Sequence, residues 1–154
     1  MKRSIVGFHK DGENDWVAEL DCGHNQHARH RPPFINRPWV ETEVGRNNHL
    51  GVELDCLLCD RRQMPDAFVP YKRTAEFTDS TVPKGLLRSH ATKKGVWGKV
   101  FVTAGKLRYT AEYPADFTIE LENGEFEIIV PELKHSISLY KGSKFYVEFY
   151  KKAD

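Results

Sequence analysis

Two short turns, each carrying two soft metal ligands, constrain this chain more than any other feature of its sequence. The first turn is Cys22-Gly23-His24, and the second is Cys56-Leu57-Leu58-Cys59. A tetrahedral zinc site needs four such ligands around one point, and a turn that holds two of them supplies half a site. The pairing therefore predicts a structural zinc site, because three cysteines and one histidine leave no position open for a reacting molecule.

Two further histidines compete for the fourth ligand position. His27 and His30 follow the first turn closely, and either could replace His24 or serve another purpose. The alternative for the whole cluster is a pair of incidental buried thiols with surface histidines. We favour zinc because the ligand types and their pairing match a structural site. The expected ligands are Cys22, His24, Cys56 and Cys59.

The cysteines are expected to be reduced. The chain begins without the apolar run of a signal peptide, and no segment approaches the roughly 20 apolar residues of a membrane-spanning helix. The sequence therefore predicts a cytoplasmic protein without membrane contact, where thiols act as ligands rather than as half of a disulfide framework.

The metal-ligating residues are concentrated in the first part of the chain. All three cysteines and five of the seven histidines precede residue 61, and only His90 and His135 follow it. A polar joint that ends in Pro65-Asp66 separates the two parts. We expect a zinc-binding module over residues 1–62 and a second domain over residues 65–152.

The first module is predicted to be a small α+β unit. Strand-like runs over residues 4–9 and 15–20 flank a loop with an Asp-Gly turn pair. The proline-rich stretch over residues 31–38 excludes regular helix. A short helix is expected over residues 42–49, where Gly51 would end it.

The second domain is predicted to consist almost wholly of strands. Short turns at Ala104-Gly105 and Asn123-Gly124 separate runs of alternating or apolar residues. Several such strands with short turns predict a sandwich or a small barrel, and a mainly β fold for the whole chain. The expected strands cover residues 96–103, 106–113, 117–122, 125–130, 135–139 and 144–150.

Basic and aromatic residues alternate between the two turns. Arg29, Arg31 and Arg37, together with Phe34 and Trp39, could grip a phosphate backbone and stack on bases. The alternative is a solvated loop that packs its aromatic rings on the zinc turns. We favour the loop, because the first module carries nine Lys/Arg against ten Asp/Glu and is not basic. Nucleic acid is therefore not the expected partner.

Most of the first module carries a recognisable series of segments. They are Val6-Gly7-Phe8-His9, Trp16-Val17-Ala18-Glu19-Leu20, Cys22-Gly23-His24, Gln26-His27, Arg29-His30, Pro32-Pro33, Arg37-Pro38-Trp39 and Cys56-Leu57-Leu58-Cys59-Asp60. This series resembles a small bacterial family, some of whose members are labelled pressure-regulated protein-like. The family has no established activity, so the resemblance implies a zinc module and not a reaction.

A second series of segments covers nearly all of the second domain. It comprises Val69-Pro70-Tyr71-Lys72-Arg73-Thr74, Val82-Pro83-Lys84-Gly85-Leu86-Leu87, His90-Ala91-Thr92-Lys93, Gly95-Val96-Trp97-Gly98, Gly105-Lys106-Leu107-Arg108-Tyr109, Pro131 through His135, and Phe145-Tyr146-Val147-Glu148-Phe149. It is similar to the cupin-like domain at the N-terminus of some tellurite-resistance methyltransferases. The resemblance implies a double-stranded β-helix barrel with a pocket.

The general cupin pattern holds a divalent metal with a His-x-His pair, a glutamate and a histidine from a second motif. Here His90 stands at the first position, Thr92 replaces the second histidine, and His135 fits the second motif. The full four-ligand set is therefore absent.

A reduced barrel site remains a candidate. Glu148 and its flanking tyrosines share one face of the last strand, and a carboxylate there could line the barrel. His90, His135 and Glu148 would then suit zinc, iron or manganese. The alternative is a surface glutamate and two hydrogen-bonded histidines. The other expected pocket residues, of which the two cations would suit an anion, are Arg88, Lys93, Tyr109 and Tyr146.

Three functions are consistent with these features. The favoured one is a metal-binding or small-anion-binding stress protein, associated with resistance to tellurite or related oxyanions. The second is a small cupin metalloenzyme with dioxygenase-like chemistry, and the third is a protein that docks on a protein or nucleic-acid partner through its zinc module. The sequence leaves open whether the protein is an enzyme. A homodimer is expected, because cupin barrels often pair through strand edges.

Overall fold

A computed structural model describes residues 1–28, 37–112 and 116–154 of the chain. The chain divides into two compact units, Met1–Arg61 and Arg62–Asp154. Strands predominate over helices among the described residues, which confirms the expected mainly β fold. No helix in the described part is long and apolar enough to cross a membrane.

The first unit contains one four-stranded antiparallel sheet. Its strands are β1 (Lys2–Lys10), β2 (Trp16–Leu20), β3 (Asn25–His27) and β4 (Glu53–Asp55), in the spatial order β3-β2-β1-β4. Strand β1 is antiparallel both to β2 and to β4. Strands β2 and β4 therefore run in the same direction, and their C-terminal ends lie at the same edge of the sheet.

A 3₁₀ turn at Pro38–Glu41 and helix α1 (Glu43–His49) lie between the outer strands β3 and β4 of this sheet. Helix α2 (Leu57–Asp60) follows β4. Thr42 caps α1, because its Oγ1 accepts a hydrogen bond from the Gly45 N–H at 3.0 Å. The helix predicted over residues 42–49 is present with nearly the expected limits.

The second unit contains two antiparallel sheets. The larger sheet has the order β10-β7-β12-β5, with β6 also paired to β12, and the smaller has the order β11-β8-β9. A 3₁₀ turn at Lys84–Leu87 lies between β6 and β7. The strands are β5 (Phe68–Arg73), β6 (Phe77–Thr78), β7 (Trp97–Ala104), β8 (Lys106–Ala111), β9 (Phe117–Glu122), β10 (Phe126–Ile129), β11 (His135–Leu139) and β12 (Lys144–Lys152).

The core of the second unit lies between these sheets. Alternate residues of a strand point to one face, so a strand with one buried face shows buried residues at every second position. The pattern is clear on β7 at Val100 and Val102 and on β8 at Leu107 and Tyr109. Phe145 on β12 is also fully buried. These inward faces enclose the cavity described below.

Replacement of Gly105 tests the turn between β7 and β8. Its φ is +67°, and a Cβ there would lie 3.0 Å from the Ser143 Cα. We expect Gly105→Ala to lower the free energy of unfolding by roughly 1–3 kcal/mol, since both backbone strain and a contact with main chain result. Urea denaturation of the full chain measures the change.

Gly85→Ala is the matched control. A Cβ at Gly85 would meet no atom within 4 Å. The expected change is within about 0.5 kcal/mol, as for an ordinary surface substitution. Equal losses in the two variants would contradict this account of the turn.

Candidate metal centre and barrel cavity

The sheet of the first unit brings the two ligand-bearing turns together. Cys22 lies just after β2, and Cys56 directly follows β4, so both stand at the edge where these strands end. In the first turn the Gly23 N–H donates to the Leu20 carbonyl at 2.9 Å, and Gly23 adopts a φ of +90°. The Leu20 N–H in turn donates to the His24 carbonyl at 2.9 Å, which closes the turn.

Four buried side chains converge at this edge. Their ligand atoms, which belong to Cys22, His24, Cys56 and Cys59, all lie within 4.8 Å of one another. The His24 Nδ1 lies 3.4 Å from the Sγ atoms of Cys22 and Cys56 and 3.6 Å from that of Cys59. The Cys22 and Cys56 Sγ atoms are 3.9 Å apart.

These separations fit a tetrahedral zinc ion. Bonds of about 2.3 Å to sulfur and about 2.0 Å to nitrogen place two sulfur ligands about 3.8 Å apart and a sulfur and a nitrogen about 3.5 Å apart. The observed sulfur–sulfur and sulfur–nitrogen distances lie close to both values. The cluster could therefore hold a metal ion with little rearrangement.

The electrostatics of the cluster also favour a bound cation. Burial lowers the pKa of His24, but its hydrogen bonds with Cys22 and Cys56 outweigh this effect and raise the pKa to about 9. Hydrogen bonds with Cys22 and Cys59 lower the pKa of Cys56, whereas interactions with Cys22 and Cys56 raise the pKa of Cys59. Three thiolates repel one another strongly in a buried space, so their joint ionisation needs a compensating positive charge.

Arg3 supplies additional positive charge beside the cluster. It is only 3% exposed, and its charge favours the ionised form of Cys59. Three thiolates and one divalent cation would carry one net negative charge. The buried guanidinium of Arg3 would balance it.

Among the described histidines of the first module, His24 alone contributes to the cluster. The His27 side chain is exposed, and its Nε2 lies 2.8 Å from Asp11 Oδ2. His30 lies outside the described residues, as do Arg29, Arg31 and Phe34. His24 is therefore the histidine that the structure brings to the three cysteines.

The described aromatic and basic residues of the first unit contact each other. Trp39 stacks on His49 with ring centroids 3.6 Å apart. The Arg46 guanidinium lies 3.8 Å from the ring centroid of Trp16. Arg37 donates to the His27 carbonyl at 3.3 Å. Arg37, Trp39 and Arg46 thus pack on their own unit.

The second unit encloses a cavity of about 350 Å³ between its sheets. This volume is at the lower end of the roughly 300–1,000 Å³ of small-molecule sites. Its apolar walls include Val100, Ile129, Ile137, Phe145, Val147 and Phe149. Its polar lining includes Lys72, His90, Thr92, Lys93, Tyr109 and His135.

The two histidines of the cavity form a pair. Their backbones exchange two N–H···O hydrogen bonds of 2.9 Å, and their ring centroids are 4.2 Å apart. The Nδ1 of His90 lies 2.8 Å from the Arg88 carbonyl oxygen, and that of His135 lies 2.9 Å from the Leu133 carbonyl oxygen. A carbonyl oxygen only accepts, so each Nδ1 carries a proton, and Nε2 is the ring nitrogen left to bind another partner.

Burial sets the charge of His135. Its side chain is buried, and this desolvation lowers its pKa to about 4. The ring of Tyr109 stacks on it with centroids 5.3 Å apart, and the Tyr109 hydroxyl has no hydrogen-bond partner among the described residues. His135 is therefore neutral at pH 7 and presents an acceptor.

The structure does not place Glu148 with this pair, which corrects the expected set of His90, His135 and Glu148. Glu148 accepts hydrogen bonds from Arg73 at 2.7 and 3.0 Å and from the Tyr150 hydroxyl at 2.5 Å. The side chains on either side of it in β12 line the cavity, so Glu148 points to the opposite face. Among the described residues, the thiol cluster alone brings together three or more His, Cys, Asp or Glu ligands.

Of the four other expected pocket residues, two line the cavity and two do not. Lys93 and Tyr109 line the cavity, whereas Arg88 and Tyr146 do not. Tyr146 instead stacks on Phe101 with centroids 5.0 Å apart, on the face that carries Glu148. Lys72 was not among the expected lining residues, because β5 was not among the predicted strands.

Substitution of Glu148 tests this correction. We expect Glu148→Gln to lower the free energy of unfolding by about 1–2 kcal/mol, because charge-assisted hydrogen bonds to a partly buried carboxylate are lost. Any metal or small-molecule binding in the cavity should be unchanged. Urea denaturation and binding titrations on the same preparation measure both.

Glu122→Gln provides the comparison for Glu148→Gln. Glu122 pairs with Lys106 at 3.2 Å where both side chains are exposed, and such pairs contribute roughly 0–1 kcal/mol. If Glu148→Gln keeps full stability but loses binding in the cavity, Glu148 belongs to the cavity site after all.

Family models match both parts of the chain. Residues 6–63 match the model of a family described as a protein of unknown function, DUF3565. Residues 72–147 match the model of the TehB-like domain. These matches confirm the two resemblances seen in the sequence. No curated protein matches the chain in sequence.

Solved structures resemble the second part of the fold. A protein from E. coli strain K12 aligns with a TM-score of 0.55 and 24% identity, over 60% of this chain and 89% of that chain, which supports the fold alone. TehB from Haemophilus influenzae aligns with a TM-score of 0.49 and 25% identity, over 56% of this chain and 32% of that chain. A cupin protein from Bacteroides fragilis aligns with a TM-score of 0.34 and 26% identity, over 42% of this chain and 52% of that chain.

Proposed function

We propose that this protein is a two-domain metal-binding protein, in which a structural zinc ion organises residues 1–62 and a barrel over residues 65–152 binds a small molecule. The observation that carries the metal assignment is the set of sulfur–sulfur and sulfur–nitrogen distances in the thiol cluster. These distances agree with tetrahedral coordination by three thiolates and one imidazole.

Zinc is the proposed ion because of the chemistry of the ligands. Thiolates are soft ligands that disfavour calcium and magnesium, and a tetrahedral set with three sulfurs and one nitrogen is typical of structural zinc. All three cysteines are free and buried. A zinc site of this kind requires reduced thiols, which supports a cytoplasmic location.

The proposed zinc ion is structural rather than catalytic. Four protein ligands leave no position for a substrate, and the ion links the turn after β2 to the start of α2. A unit of this size buries a small core, so the binding free energy of the metal contributes directly to folding.

Metal analysis after gel filtration tests the zinc site. We expect one zinc per chain in the wild type and its loss in Cys56→Ser, because a hydroxyl is a poor substitute for a thiolate. The variant should also lose the thermal stability of its first unit. His27→Ala is the control that should keep the zinc, since His27 binds Asp11 on the surface. Full zinc content in Cys56→Ser, or its loss in His27→Ala, would refute the assignment.

The tautomers of the two cavity histidines favour a second candidate function. Both Nδ1 atoms are bound to backbone carbonyls, as is usual for imidazoles that ligate a metal through Nε2. A divalent zinc, iron or manganese ion held by His90 and His135 would keep several positions open. Such a site would suit a small metalloenzyme with dioxygenase-like chemistry.

Titration of zinc-loaded protein with Fe²⁺ under nitrogen tests this second site. We expect saturable binding of one further ion, weaker than the zinc because only two protein ligands hold it. His90→Gln should abolish the binding, and the half-buried position of His90 makes this variant less disruptive than one at His135. Glu148→Gln should retain it. Equal binding by wild type and His90→Gln would exclude the histidine pair as the ligand set.

A physiological role in the stress response, such as resistance to tellurite or related oxyanions, extends this proposal. The TehB-like match of residues 72–147 supports this role.

A homodimer formed through strand edges is also part of the proposal. The elution volume in size-exclusion chromatography distinguishes it from a monomer.

A further inference from the structure

The charged side chains that line the cavity all have the same sign. They are Lys72 and Lys93, and no aspartate or glutamate is among the described lining residues. Neither lysine forms an ion pair with a described residue, whereas Arg73 on the opposite face of the same sheet is paired with Glu148. The cavity therefore presents cations that no described carboxylate neutralises.

The pairing of β5 with β12 explains the position of Lys72. It lies opposite Phe149 in the register, and paired residues share a face of the sheet. Phe149 lines the cavity, so Lys72 emerges on the same side. Lys93 reaches the cavity from the segment that follows His90. Both lysines are exposed, which places them at the mouth where the cavity meets solvent.

The interior beyond this mouth is apolar. Val100, Ile129 and Ile137 contribute hydrocarbon walls from both sheets, and Phe145 and Val147 complete them. Apolar surface in such a site favours the apolar part of a ligand, since its burial releases about 25 cal/mol for each Å² removed from water. The cavity is thus divided into a cationic mouth and a hydrocarbon interior.

We propose that the cavity binds a small organic anion, with a carboxylate-like head between Lys72 and Lys93 and an apolar body against the hydrocarbon walls. This inference rests on the proposed function, in which the barrel binds a small molecule, and names the class of that molecule. The two lysines attract the head, and the walls select the body.

A small inorganic oxyanion fits this interior poorly. An enclosed oxyanion needs several N–H or O–H donors to replace its hydration. The walls are mostly hydrocarbon, and the Tyr109 hydroxyl is one buried donor among them. The neutral imidazole of His135 presents a lone pair that repels an anion. The negative charge is therefore bound at the mouth, and the interior takes an uncharged group.

Isothermal titration of the full chain, carrying one zinc, with three six-carbon probes tests the inference. The probes are hexanoate, 1-hexanol and hexylammonium, which share an apolar body and differ in the charge of the head. We expect hexanoate to bind about tenfold more tightly than 1-hexanol, which corresponds to about 1.4 kcal/mol, and hexylammonium to bind most weakly. Added sulfate, as an inorganic oxyanion, should compete only through ionic strength.

Two lysine variants locate the head of the probe. Lys93→Met and Lys72→Met should each weaken hexanoate binding several-fold and leave 1-hexanol binding unchanged, because methionine keeps the length of the side chain and removes its charge. Lys152→Met, at the exposed end of β12, is the control that should bind hexanoate like the wild type. Methyl NMR shifts of Ile129 and Ile137 on hexanoate addition should show that the body lies inside the cavity.

The outcomes separate this inference from the proposed function. If 1-hexanol binds as tightly as hexanoate and shifts the same methyl groups, the anionic class is overturned while a small-molecule site remains. If none of the probes binds and the methyl signals do not move, both the inference and the small-molecule function of the barrel are overturned. Zinc binding in the first unit is unaffected by either result.

Discussion

The convergence of four buried ligand side chains at one edge of a small sheet is the interaction on which the first unit depends. Strands β2 and β4 are distant in sequence, but both are antiparallel to β1, so their ends meet. Without a cation, this arrangement would crowd three ionisable thiols into a space that water does not reach. The sheet therefore defines the site, and a bound ion would in turn hold the ends of the sheet together.

The second unit is organised by hydrocarbon rather than by candidate metal ligands. Its sheets turn apolar side chains toward the cavity and charged pairs such as Arg73 and Glu148 toward the opposite face. Strand β12 shows this separation within three residues. Val147 and Phe149 face the cavity, and Glu148 lies between them on the opposite face beside Arg73. A carboxylate inside would have needed a cation or donors that the apolar walls do not offer. Of the polar side chains in the cavity, Lys72 and Lys93 keep contact with water, and the two histidines bond to the backbone. The buried Tyr109 hydroxyl is the exception.

Much of the fold and the whole thiol cluster could be predicted from the sequence, because spacing and alternation are local signals. The ligand turns at Cys22 and Cys56 needed only residue types and distances along the chain. Strand β5 was missed because Pro70 interrupts it and its residues lack the alternation of apolar and polar side chains that marks a strand with one buried face. The position of Glu148 was misjudged because alternation shows which residues share a face, but not which face is inside. That choice depends on the partner sheet, which no local pattern reveals.

The short bridge between His90 and His135 has a consequence for how such a barrel can change. Two backbone hydrogen bonds attach the segment that carries His90, Thr92 and Lys93 to β11, outside the ladders of both sheets. Three of the polar lining residues are thus carried by an appended segment, while the sheets supply much of the hydrocarbon. Exchange of this segment for one of another sequence would alter the polar lining of the cavity at little cost to the scaffold, so lining and architecture can diverge independently in proteins of this shape.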